Sequence, residues 1–319
     1  MFNTEIGTDL EKAKSHLEAD ELVAIPTETV YGLAGNGLST IAISKIYEAK
    51  NRPQFNPLIL HVSSIAQMEK LVVEIPDSFR KLIQVFSPGP ITYLLPKSDS
   101  VPDLVTAGSK RVAIRIPNHS LSLELLQMLD FPLAAPSANP SGYVSPVTAA
   151  HVMEGLNGKI PYILDGGVCK VGLESTIVGF EEGKVIIHRL GAIDEKQLKE
   201  ITGCEVEIKL SHQSPTAPGQ LKSHYATSKP LILGNIEQLI EKFSSKQIAV
   251  LSFKQKFDNV KIQRILSPSG SLSEAATNLF KAMRELDASD ADLILAEVFP
   301  DEGIGKAIND RLQRAAHVN

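Results

Sequence analysis

Residues 22–62 read LVAIPTETVYGLAGNGLSTIAISKIYEAKNRPQFNPLILHV, and this stretch decides the fold of the first part of the chain. Its apolar opening at 22–25 ends at Pro26, which predicts a short buried strand. Polar residues and three glycines follow at 27–37. Such residues directly after a strand predict a loop at the carboxyl edge of a sheet, where α/β folds commonly bind ligands.

A helix and a second strand complete this stretch and bring polar groups with them. Ser39 or Thr40 can cap the helix, whose end delivers Lys50 and Arg52. The second strand is apolar except for His61. Hydroxyls, two cations, an amide and an imidazole gathered in one stretch suit a polyanionic ligand. The alternative is a solvated helix end, because Lys and Arg are common in a last turn.

The composition favours a cytoplasmic protein of about two domains. The chain has 319 residues, 43% of them hydrophobic, and its net charge of -5 argues against non-specific nucleic-acid binding, for which a basic domain is expected. Cys169 and Cys204 are the only cysteines in the sequence, so we expect neither a disulfide framework nor a zinc site. The N-terminus lacks the pattern of a secretory signal, and no apolar run approaches the ~18 residues of a membrane span.

The first 205 residues are predicted to form an α/β domain. Strands and helices alternate, and a hairpin is predicted late in the order, at 175–189. This order favours a twisted mixed sheet with flanking helices. Within it, Ser145 and Pro146 are predicted to open a helix, since Pro suits the first turn.

The rest of the chain is predicted to be a linker and a smaller domain. Residues 206–229 form the predicted linker, because 211–229 are dominated by Ser, Pro, Gly and Gln without periodicity. From 230 to 319 a simpler alternation of strands and helices predicts a Rossmann-like, doubly wound domain.

The common nucleotide and hydrolase motifs are missing from the sequence. It contains no G-x-x-x-x-G-K-[ST] loop, no G-x-G-x-x-G after a strand, no G-x-S-x-G elbow and no H-E-x-x-H pair. A nucleotide would therefore be held by turn amides and by cationic side chains. For the strand arginines, the alternative is a buried ion pair. The candidate cations are Lys50, Arg52, Lys110, Arg111, Arg115 and Arg189.

Two polar turns and one histidine are further candidates. Ser137 and Asn139 follow a predicted strand, and small hydroxyls and amides in such turns can form anion-binding nests. The segment GLEST at 172–176 is a similar polar segment, and it leads into a predicted strand. Taken alone, each is more often ordinary loop chemistry. A lone His61 on an apolar strand is likewise more often a hydrogen-bonded core residue.

Taken together, the motifs resemble one family over nearly the whole chain. The sequence is similar to the YrdC-like family, and specifically to its two-domain L-threonylcarbamoyladenylate synthases. The match is densest over about 9–202. The motifs that carry it, in order, are PTETVYGLAG, K-x-R at 50–52, NPLILHV, VAIRIP, APSAN, SPVTAAHV, GLESTIV, HRLGAI, SPTAPGQLKSHYA and GIGKAINDRLQRAA.

The resemblance implies a nucleotidyltransferase that makes threonylcarbamoyl-AMP and pyrophosphate from L-threonine, bicarbonate or CO2, and ATP, with Mg²⁺ on the nucleotide. The product would pass to a tRNA threonylcarbamoyl transferase, which modifies the adenosine next to the anticodon. Neither stable nucleic-acid binding nor membrane association is expected. Two other functions stay open: an RNA-binding module of the same fold, and a carbamoyltransferase that uses carbamoyl phosphate.

The resemblance also implies roles for individual residues. Lys50 and Arg52 would be catalytic by stabilising charge, and no metal ligand is expected from the side chains. Arg111 and Ala135 stand where relatives often carry Thr, so contacts there are expected to be main-chain. The residues implied to bind L-threonine are Thr29, His61, Arg115, Ala135 and Ser175. Those implied to bind ATP are Lys50, Arg52, Asn56, Arg111, Ser137, Asn139, Ser145, Arg189 and, in a linker that would close as a lid, Tyr225.

Overall fold

The computed structural model describes residues 2–210 and 225–316, which build two sheets. The large sheet is mixed and 11-stranded, and the small one is parallel and four-stranded. The predicted α/β class, with a mixed sheet followed by a smaller doubly wound unit, is confirmed. No helix in the described ranges is long and apolar enough to cross a membrane.

The elements of the first unit are β1 (Glu5–Gly7), α1 (Leu10–Glu18), β2 (Val23–Ile25), β3 (Gly32–Asn36), α2 (Thr40–Lys50), β4 (Ile59–His61), α3 (Ile65–Glu69), α4 (Asp77–Phe86), β5 (Ile91–Pro96), α5 (Asp103–Thr106), β6 (Arg111–Arg115), α6 (Ser120–Gln127), β7 (Leu133–Ala134), α7 (Ala149–Leu156), β8 (Tyr162–Leu164), β9 (Thr176–Glu181), β10 (Lys184–Arg189), α8 (Glu195–Thr202) and β11 (Val206–Ile208). The second unit has β12 (Leu231–Leu233), α9 (Ile236–Lys242), β13 (Ile248–Ser252), β14 (Ile262–Ile265), α10 (Leu272–Asp287), β15 (Leu293–Ala296) and α11 (Ile304–Ala316).

The strand order brings distant parts of the chain side by side. It is β1-β8-β2-β3-β7-β4-β6-β5-β9-β10-β11 in the large sheet and β12-β15-β13-β14 in the small one. In the middle of the large sheet, β4 and β6 are parallel, and His61 stands opposite Arg115. Two residues that are 54 positions apart in sequence (115 minus 61) therefore lie on neighbouring strands.

The glycines after Pro26 do not all belong to a loop. The chain is irregular through Tyr31, but Gly32–Asn36 forms β3, antiparallel to β2. A Cβ at Gly35 would lie 3.0 Å from Leu22 Cδ2, and one at Gly32 would lie 3.2 Å from the Cβ of Ala135. The loop predicted up to residue 37 is therefore wrong from residue 32 onward, since these glycines permit close packing rather than a turn.

Two further boundaries differ from the predicted ones. The helix predicted at 145–146 begins only at Ala149, because the Thr148 side chain caps it by accepting a hydrogen bond from the His151 amide. Residues 206–208, placed in the predicted linker, form β11 and pair in parallel with β10. The segment 211–224, which holds most of the predicted lid, lies outside the described residues.

The second unit packs directly on the first. One cluster of buried apolar side chains runs through both, and it includes Leu173 as well as Phe280 and Leu312. At the contact, Gly172 has φ +74°, and a Cβ there would lie 2.5 Å from the main-chain oxygen of Thr277. The two backbones are therefore too close for a side chain at this position.

Candidate active site

A half-open cavity of about 50 Å³ lies beside the central strands of the large sheet. Its walls come from the loop after β2, from β4, from the ends of β6 and β10, and from the residues after β7 and before β9. The strand order thus gathers side chains from the whole first unit. The lining residues are Thr27, Thr29, Val30, Gly32, Arg52, Ile59, His61, Arg115, Ala135, Pro136, Ser137, Glu174, Ser175, Arg189 and Tyr225.

Most residues predicted for the site lie around this cavity. All those implied to bind L-threonine line it: Thr29, His61, Arg115, Ala135 and Ser175. Of those implied to bind ATP, the ones in the lining are Arg52, Ser137, Arg189 and Tyr225. The remaining ones are outside the lining: Lys50, Asn56, Arg111, Asn139 and Ser145.

Arg115 is held rigidly at one side of the cavity. It is 4% exposed; its Nε donates to the main-chain oxygen of Gly89 at 3.2 Å, and its Nη1 donates to Thr29 Oγ1 at 2.8 Å. Its Nη2 lies 2.7 Å from Oε1 of Glu28 in a buried ion pair. A guanidinium fixed on three sides beside hydroxyls is suited to binding a small carboxylate.

Arg52 and Arg189 supply further cationic groups to the lining. The Nε and Nη2 atoms of Arg52 donate to the main-chain oxygens of Asn56 at 3.2 Å and Pro57 at 2.9 Å. Arg189 donates from Nε to the main-chain oxygen of Ser175 and from Nη2 to its Oγ, each at 2.9 Å. Burial lowers the pKa of both arginines to about 10. An anion in the cavity would offset the cost of burying these charges.

Lys50 lies beneath the turn that carries Ser137, outside the cavity lining. It is 1% exposed, and its Nζ donates to the main-chain oxygens of Ser137, at 2.5 Å, and of Asn139. Burial, and to a lesser extent the charge of Arg52, holds its pKa well below the usual range. In this structure Lys50 therefore fixes the turn, and the turn presents Ser137 to the cavity.

The other predicted ATP residues have different positions. Arg111 forms an ion pair with Glu181 at 2.7 Å. The Asn139 side chain donates to two carbonyls of its own loop. Asn56 is fully buried, and neither its Oδ1 nor its Nδ2 has a hydrogen-bond partner among the described residues. Ser145 donates from Oγ to Glu174 at 2.6 Å.

Tyr225 is a fixed part of the cavity wall. It is 1% exposed, it has φ +64°, and its ring stacks on Phe280 with centroids 5.5 Å apart. The next residue, Ala226, donates from its amide to the main-chain oxygen of Gly142 at 2.8 Å. A bulky residue keeps a positive φ only where its surroundings hold it, so Phe280 of the second unit and Gly142 of the first together anchor this end of the predicted lid.

Two carboxylates of the site were not predicted. Glu28 pairs with Arg115, and Glu174 lines the cavity. Glu174 stands inside the GLEST segment, but the residues that contact it are 29 and 137 positions away in sequence. Periodicity carries no signal for such contacts. The only sequence feature that indicated Glu174 was its place in a polar segment directly before a predicted strand.

Acid is expected to destabilise the protein because two buried histidines resist protonation. Burial lowers the pKa of His61 to about 3 and that of His188 to about 4, against 6.5 in the unfolded chain. Between those values the unfolded state binds more protons, so stability present above pH 6.5 is lost as the pH falls toward 4. Between about pH 7 and pH 5, each histidine should cost about 2 kcal/mol of unfolding free energy, measured by urea denaturation.

One variant tests the assignment of this pH dependence. His188→Gln should lose part of the dependence, because it removes one titrating group. Equal pH dependence in the wild type and in His188→Gln would contradict the prediction.

The site and fold together define a class of protein. A half-open cavity at strand ends, lined by hydroxyls and buried arginines in an α/β sheet, is typical of enzymes that bind small anionic substrates. Comparison with known proteins identifies the family within this class. A family model for Sua5, YciO and YrdC proteins, described as Telomere recombination, matches residues 15–191. A second, described as Threonylcarbamoyl-AMP synthase, C-terminal domain, matches residues 193–317.

Full-length relatives agree with both models. The chain is 38% identical to the threonylcarbamoyl-AMP synthase of Pyrococcus abyssi (95% of this chain, 93% of the relative) and 40% identical to that of Bacillus subtilis (96% and 92%). The crystal structure of P. abyssi Sua5 complexed with L-threonine superposes with a TM-score of 0.92 at 37% identity, covering 99% of this chain and 97% of that one. The chain therefore belongs to the Sua5/YrdC family of enzymes, in its two-domain form, and the predicted resemblance is confirmed.

Proposed function

We propose that this enzyme makes threonylcarbamoyl-AMP and pyrophosphate from L-threonine, bicarbonate or CO2, and ATP. The observation that carries the proposal is the presence of three buried arginines among hydroxyls in one cavity lining. Arg115 donates to Thr29, and Arg52 and Arg189 supply further guanidinium groups. Guanidinium groups suit both the carboxylate of an amino acid and the phosphates of a nucleotide. The complex of P. abyssi Sua5 with L-threonine supports the amino-acid half.

The proposed reaction has two bond-forming steps. The amine of L-threonine loses a proton and forms a C–N bond with CO2, which gives a carbamate. A carbamate oxygen then bonds to the α-phosphorus of ATP as the bond from that phosphorus to the bridging oxygen breaks, and pyrophosphate leaves. The residues position the reactants and stabilise charge, which is the main demand of such transfers. Binding in the cavity would shield the carbamate from part of the bulk water.

Magnesium is proposed to arrive with ATP. No group of three His, Cys, Asp or Glu side chains that could hold a metal is found in residues 2–210 and 225–316. Glu174 lines the cavity, but its oxygens already accept hydrogen bonds from Ser145 and Arg311. Mg²⁺ commonly keeps several waters and binds substrate phosphates, so the phosphates of ATP and water would supply most of its ligands here. When bound, it would neutralise charge on the phosphate oxygens.

One incubation tests the proposed function. The protein is mixed with Mg²⁺, ATP and bicarbonate, with and without L-threonine, and the adenylate is detected by mass. Pyrophosphate release should require L-threonine. Weak release with L-serine is compatible, because one methyl group is worth only about 1–3 kcal/mol of discrimination. Equal release without any amino acid would contradict the proposal.

The same assay separates the other two functions. A carbamoyltransferase would use carbamoyl phosphate in place of bicarbonate. An RNA-binding module would bind RNA with an affinity that falls as salt rises, and the net charge of -5 does not favour this. We propose that the adenylate passes to a transferase that modifies the adenosine beside the tRNA anticodon.

A further inference from the structure

Glu174 is a buried carboxylate in the wall of a cavity that otherwise presents cations. It is 6% exposed. Its Oε1 accepts a hydrogen bond from Ser145 Oγ at 2.6 Å, and its Oε2 accepts one from Arg311 Nε at 3.2 Å. A carboxylate in this position repels a triphosphate unless a cation neutralises it. The partner that does so belongs to the second unit.

Arg311 reaches the site from α11. It is 0% exposed, its Nη1 donates to Asp310 at 3.0 Å, and its guanidinium lies 5.4 Å from the centre of the Tyr225 ring. Its Nη2 has no hydrogen-bond partner among the described residues. Arg311 therefore contacts two residues of the cavity lining, Glu174 and Tyr225, although it lies outside the lining itself.

The charges around Arg311 also act on Arg189. Burial lowers the pKa of Arg189, and among its charged neighbours Glu174 raises this pKa while Arg311 lowers it. The three groups are thus within electrostatic range of one another. If Arg311 were removed, the charge of Glu174 would act unopposed on Arg189 and would compete with phosphate for that guanidinium.

We propose that Arg311 is a positioning residue for the nucleotide half of the site. It neutralises Glu174 and holds the Tyr225 ring, so Glu174 does not compete with the phosphates of ATP for the guanidinium of Arg189. This inference rests on the proposed function for its substrate. It gives the second unit a direct part in nucleotide binding.

The test uses the full-length protein and compares KM values. Arg311→Gln should raise the KM for ATP about tenfold, the loss of one charge-assisted contact, while the KM for L-threonine and kcat change by less than about threefold. Arg311→Lys keeps the charge and should restore the KM for ATP to within about threefold. Glu174→Gln combined with Arg311→Gln removes the carboxylate that would otherwise be left without its partner. This double variant should bind ATP better than Arg311→Gln alone.

A matched control is available at the same contact between the two units. Lys306 forms an ion pair with Glu195 at 2.7 Å, and neither residue lines the cavity. Lys306→Gln should leave both KM values unchanged. An unchanged KM for ATP in Arg311→Gln, a parallel rise of both KM values, or the same change in Lys306→Gln would overturn the inference.

Two provisions keep the test decisive. If Arg311→Gln does not fold, the double variant replaces it: a KM for ATP near that of the wild type supports the charge role, and a joint rise of both KM values overturns it. ATP binding is also measured by calorimetry on each variant. A wild type that binds ATP but makes no threonylcarbamoyl-AMP would contradict the proposed function, while the binding data would still decide the role of Arg311.

Discussion

Replacing Arg115 with methionine is expected to abolish the use of L-threonine and to lower the free energy of unfolding by about 3–5 kcal/mol. Both effects come from one side chain but from different contacts: the first from its contact with substrate, the second from its ion pair with Glu28. The guanidinium of Arg115 pairs with Glu28 at 2.7 Å, and both side chains are nearly inaccessible. Neither oxygen of Glu28 accepts a hydrogen bond within the described ranges, so the ion pair is what offsets the burial of this carboxylate. Without Arg115, a buried charge is left uncompensated.

A double variant separates the two effects of this substitution. Glu28→Gln combined with Arg115→Met also removes the carboxylate that would be buried without a partner. It should therefore recover much of the lost stability without recovering threonine use. Urea denaturation measures the stability, and pyrophosphate release at increasing L-threonine measures the use of substrate. A single variant with normal stability and a normal KM for L-threonine would refute the role given to Arg115.

Arg52→Ala is expected to reduce turnover about 10²–10³-fold, as loss of one preorganised charge contact commonly does. Arg52 lines the cavity and is held there by two main-chain oxygens, those of Asn56 and Pro57. Since burial already lowers its pKa to about 10, removing this unfavourable charge partly compensates for the two lost hydrogen bonds. We therefore expect a small change in melting temperature beside a large change in rate.

The control for this substitution is Arg80→Ala. Arg80 is an exposed arginine that pairs with Glu69 at 2.8 Å, and its loss should leave turnover unchanged. Lys50 is less suitable for the same experiment, because its amino group holds the turn of Ser137 and Asn139 from beneath. Lys50→Ala would leave a buried cavity and two unpaired carbonyls. Near-normal turnover in Arg52→Ala at an unchanged melting temperature would contradict the phosphate-binding assignment.

The structure divides the predicted site into residues that face the cavity and residues that support them. Thr29, Arg52 and Arg115 face it, as their motifs predicted. Lys50 and Ser145 act through neighbours, Lys50 through main-chain oxygens and Ser145 through Glu174. A sequence motif does not distinguish the two groups, because it records residue types and not their contacts.

The sequence by itself determined the features that depend on local pattern. The opening strand, the capped helix over Thr40–Lys50 and the order of a mixed sheet followed by a parallel one follow from periodicity, capping and the positions of Pro and Gly. The cationic residues of the site were also visible, because Arg in an apolar strand is costly without a partner. These signals depend only on residues that are close together in sequence, so they can be identified without the structure.

Only the tertiary structure decided the features that depend on contacts across long separations. The glycines of β3 pack closely against Leu22 and Ala135, and Glu174 is neutralised from α11, 137 residues further along the chain. Tyr225, placed by the family resemblance in a linker, lies between the cavity and Phe280. No local pattern encodes which buried carboxylate meets which arginine. That pairing is set by strand order and by the docking of the second unit, and it carries the chemistry of the site.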